Sequence, residues 1–183
     1  GYQTLTADGK RPLPSSPYVE LATWHRIARL YTPEILRELS STEREAAEPA
    51  RVANLISIIS HREGHLLAGA VEDTKIALTV DDTIRLGFDG EEVALHMPIR
   101  RADLDRAITA SVGKIEDKLC EVIATAGLTA ERIDTVILTG GSTQIPLIMQ
   151  RLRACLPDAR FVETDAFGSV GLGLGLDAAR RFA

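Results

Sequence analysis

The sequence predicts a mixed α/β fold, in which a helical and β-hairpin region precedes an α/β region. Two observations predict it. Apolar residues recur at helical spacing over much of the chain before residue 80 and again over residues 102–126. Short alternating or β-branched runs, typical of strands, occur around residues 83–97, at 134–138 and at 160–163. The order of strand, glycine-rich turn, helix and strand near the C-terminal end is typical of open α/β sheets, which bind ligands at the carboxyl ends of their strands.

The N-terminal elements are predicted from the positions of proline and small polar residues and from the spacing of apolar residues. Residues 1–17, rich in Pro, Ser and Thr, are expected to be a loop or tether. A helical pattern begins at Val19 and places Leu21, Trp24 and Ile27 on one apolar face. Trp24 is therefore predicted to be a core residue rather than an exposed anchor for a partner.

The next elements are two helical stretches and a hairpin. Thr32 followed by Pro33 predicts a second helix, since proline is tolerated at a first helical position. The long helix-prone stretch of residues 43–79 is expected to break at Gly64. Alternating residues on both sides of the Asp89–Gly90 pair predict a β-hairpin with a tight turn.

The C-terminal elements begin with a long amphipathic helix over residues 102–126, which Gly127 is expected to end. Residues 134–138 are predicted to form a buried strand. In the last helix the alternating glycines 171, 173 and 175 are expected to allow close packing on a neighbour. The remaining elements are expected at residues 146–156 (helix), 160–163 (strand) and 168–181 (helix).

Length and composition limit the organisation and the partners. The 183 residues suit three segments: the tether at 1–17, a helical and β-hairpin subdomain at 18–100, and an α/β subdomain at 101–183. A net charge of −5 argues against a nucleic-acid partner. No apolar run has the length of a membrane span, and no signal-peptide pattern occurs. Cys120 and Cys155 are predicted to be buried free thiols in a reducing, cytoplasmic compartment.

A metal site is disfavoured. His61 and His65 have the spacing of two zinc ligands on a helix, but Arg62 stands where a zinc protease pattern has glutamate. No third ligand is evident, so these histidines are expected to lie at the surface or at a helix end. No nucleophile with an adjacent general base stands out either.

The turn that follows residues 134–138 is the most informative segment. Gly140 and Gly141 lack Cβ atoms, so a flat or charged ligand could approach the backbone there. Free N–H groups and the positive dipole end of the next helix favour phosphate at the same place. Ser142 and Thr143 could cap that helix or donate to a ligand. Taken alone, this pattern also fits a tight turn with a capped helix and no ligand.

The longer string Asp134–Pro146, DTVILTGGSTQIP, resembles the adenosine segment of the DnaK-type, seventy-kilodalton heat-shock chaperones of the actin-like ATPase superfamily. The string Glu72–Thr79, EDTKIALT, is similar to the E-x-x-K-x-x-L-S/T helix end of that family. The resemblance covers roughly residues 60–183. The strings LATWH at 21–25 and FGSV at 167–170 resemble the divergent bacterial YegD-type branch.

The resemblance implies that the chain is the second, adenosine-binding lobe of a nucleotide-binding domain. Its fold would be an actin-like (ribonuclease H-like) ATPase lobe with a helical and β-hairpin subdomain inserted. The implied contacts are Gly140, Gly141 and Ser142 to the ribose and phosphates, Glu72 and Lys75 to the ribose hydroxyls, and Thr79 to the adenine. The implied cofactor is ATP or ADP, with Mg²⁺ in the intact protein held by residues outside this chain.

Two positions depart from the family pattern. Ile76 and Gln144 stand where the family has arginines that stack on the adenine, which puts the strength of base binding in doubt. The phosphate-binding loops of the family are not found in the sequence, so this chain alone is not expected to hydrolyse ATP, although the parent protein would be an ATPase.

The implied partners are adenine nucleotide, the first lobe of the same protein, and unfolded clients or co-chaperones. Two alternatives remain open: a lobe of an actin-like small-molecule kinase, and a non-catalytic scaffold with a decayed nucleotide site.

Overall fold

The computed structural model describes residues 6–7, 12, 14–164 and 168–182. The chain divides into two compact units, Gly1–Arg100 and Arg101–Ala183. Within the predicted tether, the Ala7 N–H donates to the Glu45 carbonyl at 2.7 Å, and most other tether residues lie outside the described residues. Phe167, the first residue of the FGSV string, also lies outside them.

The first unit is mainly helical, and three of its helices have a proline in their first turn. Pro17, Pro33 and Pro49 lie in the first turn of their helices, where the missing N–H costs nothing. The Thr32 hydroxyl accepts a bond from the Ile35 N–H and caps the second helix. The helices are α1 (Ser16–Leu21), a 3₁₀-helix (Trp24–Leu30), α2 (Pro33–Glu45), α3 (Pro49–Ser60) and α4 (Gly64–Ala77).

The predicted core position of Trp24 is wrong. Its side chain is 59% exposed, whereas Ile27 and Leu30 on the same 3₁₀-helix are buried. Trp24 is the first residue of that helix and lies beyond the end of the core, edge-on to the His65 ring at 4.9 Å. The helix break at Ala22 and Thr23 interrupts the single apolar face that the sequence pattern predicts.

The break predicted at Gly64 is confirmed, because α3 ends at Ser60 and α4 begins at Gly64. Arg62 in this junction adopts a left-handed backbone with φ 57°, which is uncommon for a residue with a Cβ. Its carbonyl accepts a bond from the Tyr31 hydroxyl at 3.1 Å. Gly64 lies so close to Ile27 that a Cβ there would be 2.6 Å from the Ile27 Cγ2 atom. The junction thus holds α4 directly against the 3₁₀-helix.

The predicted hairpin is confirmed as the antiparallel pair β1 (Thr83–Asp89) and β2 (Ala94–Arg100). Its turn is longer than the two-residue turn that an Asp-Gly pair predicts, because Asp89 still pairs with Ala94. The Gly90 N–H donates to the Val93 carbonyl, and the Glu63 carboxylate accepts from the Glu91 N–H at 2.6 Å. Glu63 therefore joins the hairpin loop to the α3–α4 junction.

The second unit contains α5 (Arg101–Thr125), β3 (Thr135–Leu138), α6 (Pro146–Cys155), β4 (Arg160–Glu163) and α7 (Ser169–Phe182), with short 3₁₀-helices at Ala130–Arg132 and Gly141–Gln144. Gly127 ends α5 as predicted. Its φ is 69°, and the Leu128 N–H donates back to the Ile123 carbonyl. β3 and β4 pair in parallel.

Three burial predictions for this unit are wrong. Ile137 in β3 is 67% exposed and only Leu138 is buried in that strand, because β3 and β4 form a sheet of just two strands within the described residues. Cys120 is exposed, since Val112 is the one buried residue of α5 in the described part of the chain. Cys155, at the end of α6, is half-buried.

The glycines of α7 are not in close packing. A Cβ at Gly171, Gly173 or Gly175 would meet no described atom within 4 Å. The alternating leucines of α7 are exposed as well, so this helix buries neither set of residues against the described neighbours. Among residues 6–7, 12, 14–164 and 168–182, no helix combines the length and apolar character needed to cross a membrane.

Because of the packing at the α3–α4 junction, alanine substitutions of two glycines in α4 should change the free energy of unfolding in opposite directions. Gly64→Ala forces a methyl group into the buried Ile27 side chain and should lower the free energy of unfolding by about 1–3 kcal/mol. Gly69→Ala meets nothing within 4 Å and should raise it by about 0.5–1 kcal/mol through helix propensity. Urea unfolding followed by circular dichroism measures both, and equal effects of the two substitutions would contradict this packing.

Candidate functional site

The glycine turn after β3 has a backbone that glycine alone adopts easily. Gly140 has φ 86° and ψ 149°, a region costly for any residue with a Cβ. The Thr143 hydroxyl donates to the Gly140 carbonyl at 2.7 Å, and the Thr143 N–H donates to the same oxygen at 3.1 Å. These two bonds close the turn into the 3₁₀-helix Gly141–Gln144.

Ser142 and Thr143 do not cap α6, so of the two roles open to them only donation to a ligand stays a prediction. Ile145 is the N-cap of α6 and provides no side-chain bond, because one turn of 3₁₀-helix separates the glycines from Pro146. Thr143 instead bonds within its own turn, while Ser142 is exposed. The Ser142 hydroxyl therefore lies at the surface beside the glycines rather than at the start of α6.

The described residues leave the space beside Gly140 open. A Cβ placed on Gly140 would meet no described atom within 4 Å, and Gly141 and Ser142 are both exposed. Gly141 and Ser142 are the first residues of a helical turn, where N–H groups have no partner within the helix. The turn can thus offer N–H donors to an anion that comes close to the chain.

Because β3 and β4 are parallel, their carboxyl ends meet at one edge of the sheet. Thr164, just after β4, donates its hydroxyl to the Leu138 carbonyl at 2.7 Å and so links this edge to β3. Sequence reasoning missed Thr164, since a lone threonine after a strand carries no signal of its own. The arrangement is the usual location of ligand sites in open α/β sheets.

The other predicted residues lie at the C-terminal end of α4, in the first unit. The Lys75 Nζ atom is 2.5 Å from Glu72 Oε2, and both side chains are substantially exposed. Thr79 follows the helix in a turn, where its hydroxyl donates to the Ile76 carbonyl at 2.8 Å. The Thr79 oxygen keeps lone pairs with which it can accept a further bond.

The six predicted residues therefore form two groups, one in each unit. Glu72 and Lys75 are brought together as an ion pair, with Thr79 after the end of the same helix. Gly140, Gly141 and Ser142 are consecutive residues of one turn. Each group is open to solvent on its own unit.

Glu72 also borders an apolar cavity of about 580 Å³ that sequence reasoning missed. The side chain of Trp24 lines this cavity. A Trp24 buried in the core, as the sequence predicted, would not line an open cavity. The other lining residues come from α1 and α4, among them Tyr18, Leu21, Leu67 and Val71.

The two histidines with metal-like spacing have other contacts. The His61 Nδ1 atom lies 3.0 Å from the Ser57 carbonyl, at the end of α3. His65 is in α4, where its ring contacts those of Trp24 and Tyr31. The helix break between them removes the shared helix face. In the described part of the chain, no three His, Cys, Asp or Glu side chains are grouped as metal ligands.

The sequence was compared with models of known protein families. The family model described as "Hsp70 protein" matches residues 59–171, a span that includes all six predicted site residues. The chain belongs to the Hsp70 family.

Two Hsp70 relatives illustrate the degree of similarity. A chaperone protein HscA homolog of Shewanella amazonensis is 29% identical over 104 residues, covering 57% of this chain and 17% of that protein. The chaperone protein DnaK of Thermus thermophilus is 33% identical over 98 residues, covering 49% of this chain and 16% of that protein. The matched region is thus about a sixth of the length of these chaperones.

The glycine turn yields a stability prediction for the second unit. Gly140→Ala should lower the free energy of unfolding by roughly 1–3 kcal/mol, because φ 86° strains an alanine backbone although its Cβ has open space. Gly113→Ala, inside α5 and equally free of Cβ contacts, serves as the control and should be stabilising. Thermal unfolding of both variants measures the difference, and an unchanged or raised Tm for Gly140→Ala would contradict the assigned backbone.

Proposed function

We propose that this chain is the adenosine-binding lobe of the nucleotide-binding domain of an Hsp70-type chaperone ATPase. In this proposal residues 1–17 are a tether, residues 18–100 a helical and β-hairpin subdomain, and residues 101–183 an α/β subdomain of that lobe. The fold is an actin-like ATPase lobe. The chain binds ATP or ADP but does not hydrolyse ATP by itself.

The observation that carries the proposal is the backbone of the Gly140–Ser142 turn. It combines a glycine-only conformation, open space at the missing Cβ and exposed N–H groups at the carboxyl edge of a parallel sheet. These features fit the close approach of a ribose and its phosphates to the main chain. These contacts would come from the main chain, so they do not depend on any long side chain.

The end of α4 supplies the complementary chemistry for the ribose. A carboxylate can accept hydrogen bonds from two neighbouring hydroxyls, which suits Glu72. Lys75 holds that carboxylate through an ion pair and has further N–H donors for a ribose oxygen. Because the exposed pair contributes little to stability, it can rearrange when the nucleotide binds.

The base would be held less tightly than in relatives with stacking arginines. Thr79 can accept a bond from an amino group of adenine, while Ile76, 56% exposed, offers an apolar surface to the ring. Gln144 is exposed but uncharged. The loss of guanidinium stacking at two positions removes about 0.5–2 kcal/mol for each, so affinity for adenine should be reduced rather than abolished.

Several exposed apolar side chains support an incomplete lobe. Parallel sheets are normally covered on both faces, yet Ile137 of β3 and the leucines of α7 are exposed. In the proposal, further strands and the first lobe complete this sheet. They also supply the phosphate loops and the residues that hold Mg²⁺, the ion that neutralises the phosphates when it is bound.

The complete protein would then close two lobes around the nucleotide. Closure coupled to nucleotide state is a two-state element that can control the binding of unfolded clients and co-chaperones. We expect such a protein to act in the cytoplasm.

Matched lysine substitutions test the proposal. Lys75 is half-exposed and Lys118 is exposed. Each forms an ion pair with a glutamate three residues away. Lys75→Ala should weaken ADP binding about tenfold, since a bond from a charged donor is lost. Lys118→Ala, on α5, should leave ADP affinity unchanged. Both should alter stability by less than about 0.5 kcal/mol.

Isothermal titration calorimetry with ADP measures these affinities, on this chain and on the complete protein that carries it. Equal ADP affinity of the two lysine variants would remove α4 from the site. Absence of ADP binding to the complete protein would favour the non-catalytic scaffold instead.

A further inference from the structure

The two free cysteines border one small cavity in the second unit. Cys120 is in the last two turns of α5 and Cys155 is the final residue of α6. Both line a cavity of about 190 Å³, whose other walls are apolar: Leu119, Ile123, Ala124, Leu128 and Ala130. Because the two residues are 35 positions apart, no local pattern in the sequence indicates that they border the same cavity.

An ion pair one helical turn before the two cysteines shows how α5 and α6 are aligned at the cavity. The Arg151 Nη1 atom of α6 lies 3.6 Å from the Glu116 Oε1 atom of α5. Each cysteine follows its member of that ion pair by four residues, which is about one helical turn. The ion pair and the shared cavity follow in the same order along both helices, so we infer that α5 and α6 run in the same direction here.

Two packed helices of ordinary geometry can carry a disulfide between them. Packed helices have axes about 8–10 Å apart and Cα atoms at a radius of about 2.3 Å. Facing Cα atoms on such helices can therefore lie within the ~4.4–6.8 Å that a disulfide spans.

We propose that Cys120 and Cys155 are a redox-sensitive pair, which hydrogen peroxide converts into an intramolecular disulfide that joins α5 to α6. Nothing in the nucleotide-binding proposal depends on this pair, and the pair does not depend on nucleotide.

The reaction balances without any other reagent. The exposed Cys120 thiolate attacks one peroxide oxygen, the O–O bond breaks, and with one proton the other oxygen leaves as water. The product is a sulfenic acid on Cys120. The Cys155 thiolate then attacks the Cys120 sulfur, the S–O bond breaks, and the departing hydroxide takes a proton to form a second water. Two thiols are oxidised and one peroxide is reduced, and a small thiol such as dithiothreitol reverses the change.

The surroundings of Cys155 set the pH dependence of the second step. Burial raises the pKa of the Cys155 thiol above its ordinary value, and the neighbouring Glu116 and Cys120 raise it further, while Arg151 lowers it. Since the thiolate is the attacking form, disulfide closure should accelerate as the pH rises from 7 to 9. Cys120 is the more exposed thiol and therefore the one that meets peroxide first.

The cavity gives the reaction room. Its volume of about 190 Å³ exceeds the ~30 Å³ share of a water molecule several-fold, so peroxide can enter beside the thiols. The same space lets the two side chains change rotamer as the S–S bond forms. A disulfide between elements so far apart in the chain should also raise the Tm of this unit by about 10 °C.

Peroxide oxidation of the reduced chain followed by non-reducing peptide mapping tests the proposal. The expected product is a Cys120–Cys155 cross-linked peptide in a monomer that has lost two hydrogen atoms, formed at a rate independent of protein concentration. Dithiothreitol should restore both the mass and the original Tm.

Single substitutions provide the control. Cys155→Ser should leave Cys120 as a sulfenic or more oxidised acid, which a sulfenic-acid probe such as dimedone labels, without an intramolecular bond. The wild-type peptide map decides the question even if a variant folds poorly. Separately oxidised cysteines, or only intermolecular dimers whose yield rises with protein concentration, would overturn the proposal.

Discussion

The close contact between Gly64 and Ile27 is the constraint on which the first unit depends. It requires a residue without a Cβ at the start of α4, and it brings the left-handed Arg62 carbonyl to the Tyr31 hydroxyl. The adjoining Glu63 carboxylate fixes the hairpin loop through the Glu91 N–H. One short junction therefore sets the positions of the 3₁₀-helix, the hairpin and α4. Since α4 carries Glu72 and Lys75 at its far end, the same junction also orients half of the proposed nucleotide site.

The elements that the sequence predicted correctly are those with local causes. Gly127 ends α5 because a left-handed residue is needed there, and Gly64 marks a break because no side chain fits. The failures concern burial, which depends on what covers a residue. Trp24 carries an apolar pattern but lies beyond the end of the core, and Ile137 belongs to a strand with one described neighbour. The position of a thiol or an indole relative to distant elements has no signature in the local sequence.

The proposed site divides into a part built from backbone, at Gly140–Ser142, and a part built from side chains, at the end of α4. In the Gly140–Ser142 turn, Gly140 has a backbone that favours glycine, and a Cβ there would meet no described atom within 4 Å. On α4, Glu72 and Lys75 form an ion pair, while Ile76 and Gln144 are the two positions where the family resemblance implies stacking arginines. Membership of the Hsp70 family together with this division is consistent with a lobe that retains ribose and phosphate contacts and holds adenine weakly. The separate thiol pair at the ends of α5 and α6 lies outside both parts.

The proposed adenosine half-site uses two surfaces of this chain, the Gly140–Ser142 turn and the end of α4. The most direct measurement is an NMR titration of the ¹⁵N-labelled chain with ADP up to millimolar concentration, which detects weak binding and assigns it to residues. We expect backbone shifts concentrated at Gly140, Gly141 and Ser142 and at the end of α4, with smaller shifts elsewhere. Shifts concentrated away from both surfaces, or no saturable shifts in either this chain or the complete protein, would contradict it.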